Sequence, residues 1–209
     1  TQMVRNNLAG AIGDFDDAIR LDPANADAFV NRGSALHLQG ELDRAGADFE
    51  RAIALAPHSG YAHAGRGNVY LERADYERAI AAFDRAIALA PDLAAAYGNR
   101  ARAFRARGDL ARAIADVDTA VRLTPTDSLA YNSRAWTYQL AGRDTEALAD
   151  ANRAIELDPG SALAFDTRGT IRLKLGDRDK AIEDFRKALA LNPGLKSAQE
   201  ALAKLGVPK

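Results

Sequence analysis

The chain has 209 residues, with 28 Lys plus Arg against 29 Asp plus Glu, a formal net charge of −1 and no cysteine. That balance leaves no global field to gather nucleic acid or an acidic membrane surface, and the missing thiol excludes disulfides, thiol nucleophiles and cysteine metal sites. No apolar run approaches the roughly 20 residues of a bilayer-spanning helix, and no signal-peptide pattern opens the chain, which leaves the compartment open.

Taken in order, the chain repeats itself. Pro23, Pro57, Pro91, Pro125, Pro159 and Pro193 are each 34 residues apart. An uninterrupted period of that length marks a stack of identical supersecondary units. Residues 1–25 read as a partial repeat. Thr1 to Arg5 align with the last turn of a first helix and Asn6 with the turn after it, so the natural protein is expected to continue upstream. Full repeats follow at 26–59, 60–93, 94–127, 128–161 and 162–194. In the clearest of these, a first helix is predicted over 61–72 and a second over 76–89. Ala79, Ile80, Phe83, Ala86 and Ile87 make one apolar stripe at helical spacing, and the proline beyond it ends the helix.

The join between the two helices carries Gly40, Gly108, Gly142 and Gly176, with Ala74 and Asn6 in the other two units. Glycine suits a left-handed residue past a helix end. Asn tolerates that conformation and Ala does so poorly, which predicts a differently built turn at Ala74. Beyond Pro193 the pattern changes. Leu195, Ala198, Ala201, Leu202 and Leu205 form one stripe, the mark of a capping helix within 195–209.

These residues resemble the tetratricopeptide repeat. One unit reads Phe29, Gly33, Leu36, Ala45, Phe49, Ala52, Pro57, and the next Gly67, Tyr70, Ala79, Phe83, Ala86, Pro91. The resemblance covers essentially the whole chain. It implies an all-α, right-handed α-solenoid of antiparallel helix–turn–helix units, and a non-catalytic scaffold that holds other proteins. High Arg over Lys and abundant Ala point to a GC-rich bacterial source.

Departures from the family pattern are regular. The family's Leu beside the first-helix glycine is Arg32, Arg66, Arg100, Arg134 and Arg168. Aspartate recurs on second helices at Asp14, Asp48, Asp116, Asp150 and Asp184, with Ala82 in the remaining place. The ladder reads either as a basic stripe for an anionic ligand or, preferably, as repeating Arg–Asp pairs between packed helices, within a unit or with the unit before. In the last two units Asp144, Arg178, Ala151 and Arg172 replace apolar or aromatic residues, which predicts either looser packing there or completion by something outside the chain.

Nothing in the pattern carries catalysis. There is no Gly-x-Ser-x-Gly elbow, no phosphate-cradling Gly-rich loop and no His-Glu-x-x-His. His58 and His63 straddle a helix start in poor geometry for a shared metal. No metal and no cofactor is expected.

What the resemblance implies is a concave surface lined by first helices. Carried onto this chain, it includes Asn31, Ser34 and His37, then Tyr61, Asn68 and Glu72. Next come Asn99, Arg102 and Arg105, then Asn132, Trp136 and Gln139, and last Asp166, Thr170 and Lys174. Asn and Gln there suit clamping of a peptide backbone. Trp136 reads either as an anchor or as filler for the space left by Ala151. Arg102 and Arg105 suit an acidic segment or a free C-terminus. Asn68 and Asn99 match the asparagines of a chaperone-tail clamp, but Ala64, Leu129 and Ser133 stand where its basic residues would be.

The expected function is therefore a scaffold for a protein or extended peptide, with no nucleic-acid partner and no membrane insertion. Two alternatives stand beside it: a self-associating homo-oligomer module, and a regulatory arm of a larger protein.

Overall fold

The computed structural model describes residues 2–207, with side chains from Asn7 onward; Thr1 lies outside the described residues. Among them are twelve α-helices and no strand: α1 (Gln2–Leu21), α2 (Ala26–Gln39), α3 (Leu42–Leu55), α4 (Gly60–Glu72), α5 (Tyr76–Leu89), α6 (Ala94–Ala106), α7 (Leu110–Leu123), α8 (Ser128–Leu140), α9 (Asp144–Leu157), α10 (Ala162–Lys174), α11 (Arg178–Leu191) and α12 (Lys196–Lys204). The fold is all-α. Contacts divide the chain into two compact units, Thr1–Arg107 and Gly108–Lys209.

In the first unit α2 pairs with α3 and α4 with α5, while α1 packs on α2 and α6 on α5. First helices also meet directly, α2 with α4 and α4 with α6. One apolar cluster joins Ile12, Leu36, Ala45, Phe49 and Val69, and another Phe29, Ala52 and Ala62. In the second unit α8 pairs with α9 and α10 with α11, and α12 lies on α11 and α10. Its apolar clusters centre on Tyr138, Ala151 and Ile171, and on Phe165, Ile182 and Phe185. Ala198 and Leu202 of α12 are buried in the latter, with Leu195, Ala201 and Leu205 packed around them, while Lys196, Glu200 and Lys204 stay exposed.

The small first-helix residue is required by the large second-helix one. A Cβ on Gly67 would lie 2.7 Å from the Phe83 ring, and one on Gly169 would lie 2.8 Å from Phe185. Where Ala135 replaces the glycine, its unit carries Ala151 in place of the ring, and both alanines are fully buried in one cluster. Volume is conserved across the contact.

The second helices end before proline with an extended residue, as at Ala56 (φ −133°) and Ala90 (φ −138°), because the proline ring disfavours helical backbone in its predecessor. Two turn expectations are corrected. Ala74 does not build a different turn: it takes the left-handed conformation with φ 57°, like Gly40 at φ 84°. The backbone bonds around it also match, Asp75 N–H donating to Tyr70 C=O as Glu41 does to Leu36, so the fold imposes the turn against the strain of a Cβ. Asn6 forms no turn at all, since α1 runs unbroken from Gln2 to Leu21. Asn accepts a left-handed conformation without demanding it, and continuing the i→i−4 ladder satisfies its backbone equally well.

Candidate ligand-binding faces

The Arg–Asp ladder orients the first helices. Arg32 on α2 donates from Nε and Nη2 to Asp48 of α3, at 2.8 and 2.6 Å, and from Nη1 to Asp16 of α1 at 2.6 Å. The open question of register resolves as both for Arg32, Arg134 and Arg168, each of which reaches 16 residues forward and 16 back. In the second unit Arg134 holds Asp150 at 2.6 and 2.8 Å and Asp118 at 3.3 Å. Arg168 holds Asp184 at 2.9 and 2.7 Å and Asn152 at 3.0 Å. The forward contact is a bidentate fork on a carboxylate, which fixes rotation as well as distance. The backward partner of Arg32 is Asp16, while Asp14, the recurring aspartate of that helix, is exposed. Asp48 and Asp184 are buried, and the two carboxylates hold the Arg32 and Arg168 forks against the second helices. The Asp48 carboxylate raises the Arg32 guanidinium further above its ordinary value.

With one side of each first helix committed to that ladder, another carries the expected ligand residues. In the first unit Asn31 and Tyr61 are exposed, Tyr61 at 66%. Ser34 Oγ turns back to the Val30 carbonyl at 2.8 Å. His37 is half-buried and its Nε2 has no partner. Asn99 Nδ2 donates to Asn68 Oδ1 at 2.9 Å, tying α6 to α4. Arg102 sits 3.6 Å from Glu72. Arg105 is half-buried, and burial, aided by the like charge of Arg102, pushes its guanidinium down to about 10.

In the second unit Trp136 keeps 38% of its surface exposed, while Ala151 lies in the cluster of Ala135, Tyr138, Ala147 and Ile171. Asn132 Oδ1 and Gln139 Oε1 are buried acceptors without a donor. Asp166 accepts from Ser197 at 2.6 Å through Oδ2, and its Oδ1 has no donor. Burial pushes the Asp166 carboxyl up from its ordinary value, against the Ser197 hydrogen bond. Thr170 Oγ1 returns to the Asp166 carbonyl, and Lys174 bonds Asp144 at 2.8 Å and the Gln139 carbonyl at 3.2 Å.

The polar departures in the later units also find partners. Arg172 joins Arg168 on Asp184, Asp144 takes Lys174, and Arg178 donates to the Leu205 carbonyl. Among the described residues no group of three or more His, Asp or Glu is placed to hold a metal ion, and no helix is long and apolar enough to cross a membrane.

This geometry of paired helices, small-for-large contacts and a shared 34-residue register is matched by family models described as tetratricopeptide repeat, over residues 2–60, 64–128, 100–162 and 162–195. The chain belongs to the tetratricopeptide-repeat family. Domains of that family generally act as protein–protein interaction modules. This tetratricopeptide-repeat chain is 27% identical to YrrB, described as a TPR protein with an unusual peptide-binding site, over 90% of this chain and 96% of YrrB, with a TM-score of 0.66. It shares its fold with PilF of Pseudomonas aeruginosa (19% identity, 96% of this chain and 91% of that, TM-score 0.78). It also shares its fold with a chain of the APC/C hetero-tetramer Cut9–Hcn1 (16% identity, TM-score 0.87), covering 95% of this chain and 39% of that one. No curated protein matches.

Sequence reasoning missed two features of these faces. The Glu72–Arg102 pair links residues on α4 and α6, and the Asn68–Asn99 bond does the same; both needed the α4–α6 contact to be seen.

Proposed function

We propose that the chain is a non-catalytic scaffold that holds a protein or extended peptide on the first-helix faces bearing Tyr61 and Trp136. One observation carries this reading: on α8, Asn132 Oδ1 and Gln139 Oε1 are acceptors without donors, flanking the exposed indole of Trp136. An unpaired buried acceptor costs about 1–3 kcal/mol, and a peptide N–H supplied by a ligand relieves that cost. The indole supplies apolar area and a donor of its own. The likeness to YrrB, whose description names a peptide-binding site, supports the same reading.

The acidic-partner expectation is narrower than Arg102 and Arg105 suggest. Glu72 already offsets Arg102, so an acidic segment must displace that carboxylate. The test is Trp136 fluorescence titrated with acidic, basic and neutral extended peptides. Binding weakened at least tenfold by Asn132→Ala, with helicity unchanged, supports the assignment. A ligand whose affinity is indifferent to Asn132→Ala, Gln139→Ala and Tyr61→Ala together places binding elsewhere.

The second reading is self-association. It is favoured by the hollow on α1 lined by Asn7, Leu8, Gly10, Ala11 and Asp14, which no helix among the described residues covers. Light scattering across a dilution series, with Leu8→Asp as control, separates the two.

A further inference from the structure

A ring stands at one register position in all five full repeats: Phe29, His63, Tyr97, Tyr131 and Phe165, each 34 residues after the last. Phe29 shares an apolar cluster with Ile19, and Phe165 shares another with Ile155, each partner lying on the preceding second helix. An arginine one turn on lies over the ring, Arg32 at 5.5 Å from Phe29 and Arg168 at 5.3 Å from Phe165. The same guanidinium also holds a carboxylate, that of Asp48 for Arg32 and of Asp184 for Arg168.

The next place in that series, on α12, holds Gln199 instead of a ring. Its Nε2 donates to the Pro193 carbonyl at 2.7 Å. The residue in register with Ile19 and Ile155 is here Leu189. Where earlier units bury a ring, Gln199 and Leu189 line an open hollow between α11 and α12, together with Arg186, Ala190 and Pro193. Arg186, Ala190 and Pro193 are exposed, and Leu189 and Gln199 are half-buried. The ladder position one turn beyond Gln199 is Leu202, which is fully buried, so the cation at the hollow is Arg186. Among the described residues Arg186 forms no hydrogen bond or ion pair, not even with Glu183 one turn before it.

An apolar recess beside an exposed, unpaired guanidinium suits an aromatic side chain, whose ring face attracts the cation, with a carboxylate next to it. We propose that the α11–α12 hollow is a docking site for an aromatic residue flanked by Asp or Glu in a partner protein. The partner supplies in trans the ring and the carboxylate that Phe29 and Asp48 bring to Arg32 within the chain. The lining includes no residue of the first-helix faces bearing Tyr61 and Trp136, so the site goes beyond the peptide-holding reading above.

The experiment follows the methyl resonances of Leu189 and Ala190 in the full chain on titration with three end-blocked peptides: Ala-Asp-Phe-Ala, Ala-Asp-Leu-Ala and Ala-Asn-Phe-Ala. The expected result is saturable shifts with Ala-Asp-Phe-Ala, bound about fivefold or more tighter than either analogue. Gln199→Phe restores the ring of the earlier units; it should raise the thermal midpoint by about 2–4 °C and abolish the shifts. Ala190→Leu narrows the hollow at its exposed rim and should abolish them too, so the reading does not depend on Gln199→Phe folding. Arg186→Gln should bind the Asp and Asn peptides equally. No saturable shift in wild type, or shifts undiminished in both Gln199→Phe and Ala190→Leu, overturns the site. Equal binding of the Leu peptide by wild type overturns the aromatic assignment, and equal binding of the Asn peptide overturns the carboxylate. Shifts at Trp136 with Leu189 and Ala190 unmoved would overturn this site while leaving the peptide-holding reading intact.

Discussion

Asp166 shows how a single side chain can hold a cost that other residues of its face share less acutely. Its Oδ2 takes the Ser197 hydroxyl, while Oδ1 is buried with no donor. Burial raises its carboxyl above the ordinary value of 3.8, the Ser197 bond opposing. The unfolded chain therefore releases this proton first as pH rises. Between 3.8 and the higher folded value the folded state binds more protons, so stability falls with rising pH across that window and stays lower above it. Asp166→Asn keeps an acceptor for Ser197 and removes the charge. It should raise the urea midpoint at pH 7 and leave it nearly unchanged at pH 3, below both values. An equal gain at both pH values would show that charge is not the cause.

At the scale of the element, the ladder replaces an apolar contact of the family with an ionic one. Arg32 keeps a fifth of its side chain exposed and Asp48 less than a tenth, so the pair gives up much of its hydration, and its geometry rather than its charge is what α2 and α3 gain. Asp48→Ala strands the guanidinium with only the more exposed Asp16 and should cost about 3 kcal/mol. Arg32→Leu in the same chain should recover most of that loss, because an apolar pair of matching shape carries no desolvation penalty. A double variant as unstable as the single one, in urea melts at pH 7, would mean that the cavity left by the aspartate dominates.

The ladder also shows how far pattern reading reaches. Period and helix ends repeat in every full unit, and repetition makes them legible without coordinates; the small-for-large contact of Gly67 with Phe83 is replaced where Ala135 meets Ala151, and it took the structure to see it. The pairing register of Arg32 stays open in the sequence, and Asp16 does not stand out there, because register along a helix cannot decide between residues two apart when the contact crosses to another helix. Ala74 was misjudged for the opposite reason: its intrinsic preference is poor, but the α4–α5 packing outweighs the strain of one left-handed residue. The ligand residues are the least legible. Whether Asn99 pairs with Asn68 or faces a ligand depends on a contact between elements 31 residues apart, which no local pattern encodes.

Across the molecule, each compact unit is built only from contacts between helices adjacent, or next but one, in the chain. Stability in such an arrangement is a sum of unit terms and neighbour terms, not the property of one shared core. Phe83, fully buried beneath Gly67, tests this. Phe83→Ala should cost about 3–5 kcal/mol. In a single cooperative core that loss would speed amide exchange evenly along the chain. With neighbour coupling it should speed exchange most in α4 and α5, less in α2, α3 and α6, and least in the helices farthest along the chain, such as α11 and α12. Hydrogen exchange read by mass spectrometry on wild type and variant gives the profile directly. A uniform increase from α1 to α12 would show that both units melt as one, and a change confined to 1–107 would show that they open independently.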